Sequence, residues 1–407
     1  MRIFLIFCPI FALALQFSTP SPAAQASRSG LMQGTPEAAS LQASRLKYID
    51  DVVTESIAAR ETPGAVVLVA RNGRIAYLKA FGNRSVQPKT EPMTADTIFD
   101  ISSLTKVVAT LPSVMRLVES GKLRIEDRVK RYLPKFTGGG KDPITVRQLL
   151  NHYSGLPADF DLSKPWSGYA AALEELWKVE TASDPGKEFV YSDLNFIALG
   201  EIIRSLAGKP LDGFAREQIF LPLGMNETLF CPPANLTARI APTEPRRNTL
   251  RYLKGQLADS LDKMVRGEVH DPTAWRMGGV AGHAGLFSTA KDLGIYAQML
   301  LDGGSYGGVR LLSPASVAAM TSVQSPPGSI EVRGLGWDLQ STYSAPGGDL
   351  LKGGYGHTGF TGTSLWIHPQ SSTFIIVLTN RVHPDGGKDI NHLRAVIANI
   401  VAAAIVE

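Results

Sequence analysis

The chain has 407 residues, with 41 Lys and Arg against 37 Asp and Glu and a formal net charge of +4. Hydrophobic residues make up 44% and charged residues 19%, the balance of a globular chain long enough for two domains or for one large domain with an insertion. No basic run interleaves with aromatics, which argues against nucleic acid as a partner.

Met1-Arg2 is a short positive start, and Ile3 to Phe17 is almost unbroken apolar sequence. Ser18 to Ala26 follows, with Ala24 and Ala26 as the small residues of a cleavage site, so residues 1–26 are expected to be a signal peptide. The apolar run is shorter than the about 20 residues of a membrane span, and no later stretch replaces it. The mature chain is therefore expected to be exported, periplasmic or secreted, without a membrane span. Loss of Cys8 with the leader leaves Cys231 alone, which excludes an internal disulfide. Beside Pro232-Pro233, Cys231 reads as a quiet buried thiol in a loop.

Residues 27–40 are small and polar, an expected disordered leader. Leu41 to Ala59 has helical periodicity. Ala65–Ala70 and Ile75–Leu78 flank Asn72-Gly73, a hairpin signal. From about 107 to 302 the pattern is mostly helical, with helices expected at Pro112–Ser120, Val146–Asn151, Ala170–Val179, Phe196–Ala207 and Asp292–Leu301. Gly334–Leu339, Gly362–Ile367 and Thr373–Thr379 read as antiparallel strands, and Leu393–Val406 as a closing helix. This order predicts one α/β (α+β) domain over 41–407. Its antiparallel sheet and terminal helices would come from about 41–106 and 303–407, with a mostly helical insertion from about 107–302.

The chemistry concentrates in three places. Ser103-Leu104-Thr105-Lys106 opens an apolar helix; residues i and i+3 share a helix face, so the Lys106 amine can reach the Ser103 hydroxyl. A serine needs a neighbouring base, and a lysine in a dry pocket can have its pKa lowered enough to serve. Spacing alone does not single it out, because Ser44-x-x-Lys47, Ser260-x-x-Lys263 and Ser288-x-x-Lys291 match too, and Ser288 reads as a helix N-cap. Tyr191-Ser192-Asp193 precedes a helix, and Tyr191 could share proton transfer with Lys106. The third place is Gly356-His357-Thr358-Gly359-Phe360-Thr361-Gly362, before a strand. Its glycines let backbone approach a substrate, and the Phe360 N–H would join that of Ser103 as an oxyanion donor. His357 adds a titratable group.

Together these pieces resemble the serine β-lactamase and penicillin-binding protein superfamily, most of all its class C-like branch of carboxypeptidases, D-aminopeptidases and esterases. Ile144 to Pro157, Pro222-Leu223-Gly224-Met225 and Ala284 to Thr289 look like further landmarks, and the likeness spans about 45 to 405. It implies a β-lactamase-like fold and an exported hydrolase that acts on amide or ester bonds through an acyl-enzyme. Its catalytic residues would be Ser103, Lys106, Tyr191 and His357, the oxyanion hole Ser103 and Phe360, and the substrate-binding residues Asp193, Thr358 and Gly359. D-alanyl peptides and β-lactams, small esters for a carboxylesterase, or a non-catalytic penicillin-binding or sensor module all remain open. No metal or cofactor is expected, and the chain is expected to act as a monomer.

Two departures stand out. Asp193 occupies a position where the family commonly has Asn, and its carboxylate could pair with Lys106 and raise its pKa. His357 occupies a position where the best-known members carry Lys; a neutral imidazole binds a carboxylate less well at pH 7 and better in acid. Gly303-Gly304-Ser305-Tyr306-Gly307 matches a nucleophile elbow, but it follows a helix and precedes an extended piece, so it reads as a surface turn. His270-Asp271 and His283 lie in Gly- and Pro-rich sequence and read as loop or pocket-wall residues.

Overall fold

The computed structural model describes residues 30–250, 259–344 and 346–406. The expected signal peptide and Cys8 lie outside these. The main sheet contains Met32–Gln33 (β1), Gly64–Arg71 (β2), Arg74–Ser85 (β3), Val332–Arg333 (β4), Asp338–Gln340 (β5), Tyr355–Thr358 (β6), Ser364–His368 (β7) and Thr373–Thr379 (β8), in the order β1-β3-β2-β8-β7-β6-β5-β4. Among the described residues, helices of eight or more residues are Tyr48–Ala58 (α1), Leu111–Glu119 (α2), Tyr169–Lys178 (α3), Asp193–Ala207 (α4), Ala290–Leu301 (α5), Pro314–Thr321 (α6) and Asn391–Ala404 (α7).

Residues 65–70 of β2 and 374–378 of β8 are all apolar because both faces of these central strands are covered. Val66 and Leu68 of β2, with Phe374 and Ile376 of β8, face the large helical core. Val67 and Val69, with Ile375 and Val377, face the other way and meet Ile49 and Val53 of α1 and Ile397 and Val401 of α7. The β2–β8 ladder runs antiparallel from Ala65↔Thr379 to Arg71↔Thr373. It joins the two ends of the chain, as the sequence order requires.

Several expectations need correction. Residues 30–40, expected within the disordered leader, are ordered: β1 pairs with β3 in parallel, with Met32 N–H on the Gly73 carbonyl at 3.0 Å, and Ala39 and Leu41 are fully buried. Edge pairing uses main chain, so a small, polar composition did not forbid it. That pair also makes the sheet mixed instead of wholly antiparallel. Helix α5, placed in the insertion by sequence, lies against β2 and β8. Gly294 lets it approach; a Cβ there would stand 3.0 Å from Leu31 and 3.6 Å from Leu68. Gly334–Leu339 is two short strands about a turn, with Gly334 N–H on the Trp337 carbonyl at 2.9 Å and Gly336 at φ +73°. Thr289 caps α5 in place of Ser288, which ends a strand. Cys231 is exposed, since its loop turns outward at φ +46°. The turn at Gly303–Gly307 is a hairpin, with Ser305–Tyr306 against Val309–Arg310, and not an elbow.

Ile376 is fully buried at the centre of β8. Ile376→Ala is expected to cost about 3 kcal/mol of unfolding free energy in urea denaturation, from lost burial plus the cavity left behind.

Candidate active site

Phe99–Asp100 pairs with Leu286–Ser288 and ends in a turn held by a buried carboxylate. Asp100 Oδ1 accepts the Ser102 N–H at 2.9 Å and Oδ2 accepts the His270 N–H at 2.7 Å. Ser102 sits at φ +49°, a sparsely populated conformation for a non-glycine residue. The turn leaves Ser103 just ahead of the helix. A π-helical turn at Lys106–Thr110 then leads into α2, a distortion common at functional sites.

Lys106 is fully buried. Its Nζ lies 2.6 Å from Asp193 Oδ1 and donates to Ser103 Oγ at 3.1 Å and to the His283 carbonyl at 3.2 Å. Burial alone would lower the Lys106 pKa, but the Asp193 and Tyr191 charges and hydrogen bonds raise it above its ordinary value. The expected dry pocket is there, yet it holds an ammonium and not a free amine. Asp193 is the first residue of α4, with its N–H on the Ala158 carbonyl at 2.8 Å. Tyr191 packs beside Lys106, whose Nζ is 4.9 Å from the ring centroid. On its other side the ring stacks on His152 at 4.4 Å. His152 is fully buried, accepts the Ser192 N–H on Nδ1 at 3.1 Å, and is held neutral by burial and then by Arg333 and Lys106.

The loop after β6 is fastened to the nucleophile's turn. Thr361 Oγ1 donates to the Asp100 carbonyl at 2.7 Å and Thr363 Oγ1 to that of Ile101 at 3.1 Å. A Cβ on Gly359 would stand 2.2 Å from Thr363 Oγ1 and 2.6 Å from the Ile101 carbonyl, so only glycine fits. The N–H groups of Ser103 and Phe360 make no hydrogen bond among the described residues. Ser103, Tyr191, His357, Thr358, Gly359 and Phe360 line one cleft of about 520 Å³, and Lys106 and Asp193 sit behind Ser103. The structure thus brings together all eight residues singled out by sequence.

His357 corrects one expectation. It is only 4% exposed. A carbonyl can only accept, so the 2.8 Å contact of Nδ1 with the Thr358 carbonyl places a proton on Nδ1. Nε2 is left as a buried acceptor without a partner among the described residues. Burial, then Arg333 and Lys106, hold His357 neutral well below its ordinary pKa. Both influences disfavour the imidazolium that would bind a carboxylate.

Sequence reasoning missed His152, Arg333 and an acidic cluster behind Lys106. His283 Nε2 lies 2.8 Å from Asp271 Oδ1, and donor atoms of Asp193, Asp271 and His283 lie within 4.8 Å of one another. Lys106 supplies a cation to this group. Burial, then the Asp271 and Asp193 charges, push Asp159 up to about 7. Burial would raise Asp271, but His283 brings it down to about 2. Burial, the largest single influence, would lower His283, but the Asp271 and Asp193 charges and the Asp271 hydrogen bond together raise it above its ordinary value. These residues come from separate loops, and no periodicity links them.

A raised histidine pKa stabilises fully below the unfolded value of about 6.5 and loses that contribution as pH rises through the folded value. Asp271→Asn is expected to cost about 3 kcal/mol at pH 6, as for one partner lost from a buried pair. It should also flatten the decline of Tm between pH 6 and 9. A Tm–pH curve parallel to wild type would show that His283 does not depend on Asp271.

The family model described as Beta-lactamase matches residues 49–399. An N-acetylmuramyl-L-alanine amidase of Bacillus subtilis (strain 168) is 34% identical over 372 residues, 85% of this chain and 83% of its own. A protein of Escherichia coli (strain K12), provisionally named a D-alanyl-D-alanine carboxypeptidase, is 32% identical over 380 residues, 87% of this chain and 86% of its own. Among solved structures, a class C beta-lactamase superposes with a TM-score of 0.70 at 21% identity, covering 89% of this chain and 97% of that one.

Proposed function

The chain belongs to the beta-lactamase family of serine hydrolases, and from that premise we propose that it is an exported enzyme that cleaves amide or ester bonds through a Ser103 acyl-enzyme. The observation that carries this reading is the Lys106 ammonium, joined at once to Ser103 Oγ at 3.1 Å and Asp193 Oδ1 at 2.6 Å on the floor of a cleft.

Ser103 Oγ attacks the carbonyl carbon. Because Asp193 keeps Lys106 protonated at rest, the proton moves along the set: Lys106 passes one to Asp193 and takes that of Ser103, with Tyr191 beside both. The carbonyl oxygen, now negative, lies between the N–H groups of Ser103 and Phe360, preorganised donors that cost no rearrangement. Return of the proton to the leaving group collapses the intermediate to the acyl-enzyme. Water reverses the sequence and frees Ser103. Thr358 and Gly359 line the strand edge on which an extended substrate would pair.

The relative named for D-alanyl-D-alanine supports peptides ending in D-alanine, met outside the cytoplasm, as the substrate class, and the relative named for N-acetylmuramyl-L-alanine supports an amide bond as the one cleaved. A second reading, a carboxylesterase on small neutral esters, draws support from the buried neutral His357 where a cation would suit a substrate carboxylate.

Side-by-side assay of a D-Ala-D-Ala peptide, nitrocefin and p-nitrophenyl acetate separates these readings. Ser103→Ala is expected to lower turnover of whichever is cleaved by at least about 10³-fold and to abolish labelling by a fluorescent penicillin or phosphonate. Undiminished turnover would remove Ser103 from the mechanism. Asp193→Asn takes away the base that receives the Lys106 proton, so Lys106 must be a free amine before Ser103 can attack, and the acid limb of the kcat/KM–pH profile should move to higher pH. An unmoved limb would exclude the Lys106–Asp193 proton route.

A further inference from the structure

A peptidase substrate of the kind proposed carries a carboxylate on its leaving group, and the cleft must meet it with a cation. The cleft wall holds three arginines, Arg333, Arg381 and Arg394, against two aspartates, Asp338 and Asp389, and so has one positive charge in excess. His357 offers only an acceptor, and Lys106 is committed beneath Ser103.

Two of the arginines are spent on the protein itself. Arg333 is 1% exposed; it donates to the Tyr343 hydroxyl and the Gly336 carbonyl, each at 3.0 Å, and lies 3.7 Å from Asp338. Arg394 is 5% exposed and donates to Asn391 Oδ1 at 2.9 Å, the Thr363 carbonyl at 2.9 Å and the Gly359 carbonyl at 3.3 Å. It braces the loop that carries Phe360. Asn391 is used at both ends of its amide, since its Nδ2 donates to the Tyr343 carbonyl at 3.1 Å.

Arg381 differs. It is half-buried and makes one hydrogen bond among the described residues, from Nη1 to the Lys388 carbonyl at 3.0 Å. Its stem is fixed, because the preceding Asn380 donates from Nδ2 to the carbonyls of Arg84 and Pro242, both at 2.8 Å. Its guanidinium lies 4.8 Å from the centroid of the Phe360 ring, which is 56% exposed at the rim. The residue whose N–H faces the reacting carbonyl thus carries on its ring a charged fork with unused donors. A guanidinium matches a carboxylate in a bidentate way that a lysine cannot.

We infer that Arg381 is the specificity-determining cation that receives the substrate's leaving-group carboxylate, in place of residue 357; the inference rests on the serine-hydrolase reading. Asp389 lines the same cleft; burial opposes the charged form of the Arg381 guanidinium, and the Asp389 and Glu244 charges favour it.

The test uses two esters of the same shape, 3-acetoxybenzoate and its neutral amide 3-acetoxybenzamide, with the full-length mature enzyme. Wild type is expected to favour the carboxylate in kcat/KM by about tenfold. Arg381→Gln should erase that ratio and Arg381→Lys keep part of it; a ratio is indifferent to the folded fraction of either variant. Ser103-dependent hydrolysis with the same ratio in Arg381→Gln as in wild type would overturn the inference. Hydrolysis of neither ester, or hydrolysis that survives Ser103→Ala, would overturn the serine-hydrolase reading and this inference with it.

Discussion

A lysine ammonium with no solvent contact sets the terms for the rest of this molecule. Burying such a charge without partners costs several kcal/mol, so Lys106 must be met from all sides. Asp193, Ser103 and the His283 carbonyl meet it, and each arrives on a different segment. The turn at Asp100–Ser103 delivers the serine, the start of α4 delivers the aspartate, and the loop before Leu286 delivers the carbonyl. The buried acids behind Asp193 extend the same requirement. Three carboxylates, one ammonium and one imidazole approach neutrality only if His283 carries a charge and Asp159 a proton, the directions in which burial and neighbours move both.

The placement of the two proposed oxyanion donors follows from a second constraint, the fastening of the Phe360 loop to the turn that carries Ser103. Thr361 and Thr363 are buried hydroxyls whose acceptors are the carbonyls of Asp100 and Ile101. Arg394 holds the loop from the far side through the carbonyls of Gly359 and Thr363. Residues 261 and 262 positions apart in sequence are thereby fixed within hydrogen-bond reach, and the spacing of the two N–H groups becomes a property of the framework and not of the substrate. The same arrangement explains why His357 can be an uncharged residue without loosening the site: its ring serves the strand through Thr358, and cations for the cleft come from elsewhere.

What the sequence made legible was whatever depends on local pattern. The apolar runs at 65–70 and 373–379 read as strands, and Ser103-x-x-Lys106 was separable from three other matches by its partners at Tyr191 and His357. Asp193 could be recognised as a partner for Lys106 because it breaks an otherwise familiar motif. What stayed illegible depends on contacts between distant loops. Asp271 and His283 are twelve positions apart in glycine-rich text, and nothing in that text places them behind Lys106. The strand at Met32–Gln33 was hidden because edge pairing leaves no side-chain signature. Arg333 and Arg381 look alike as letters, and only burial and hydrogen bonding divide them.

The ladder between β2 and β8 has a consequence beyond stability. It joins residues 65–71 to residues 373–379, so the sheet's centre has no neighbour on one side until nearly the whole polypeptide exists. Closing so long a loop is slow. Until residues 373–379 are made, β2 lacks its partner on that side and the nascent chain cannot close its sheet. Sheet and cleft floor therefore form together, when the last strand meets the first hairpin, and activity appears only once both ends of the ladder have been made.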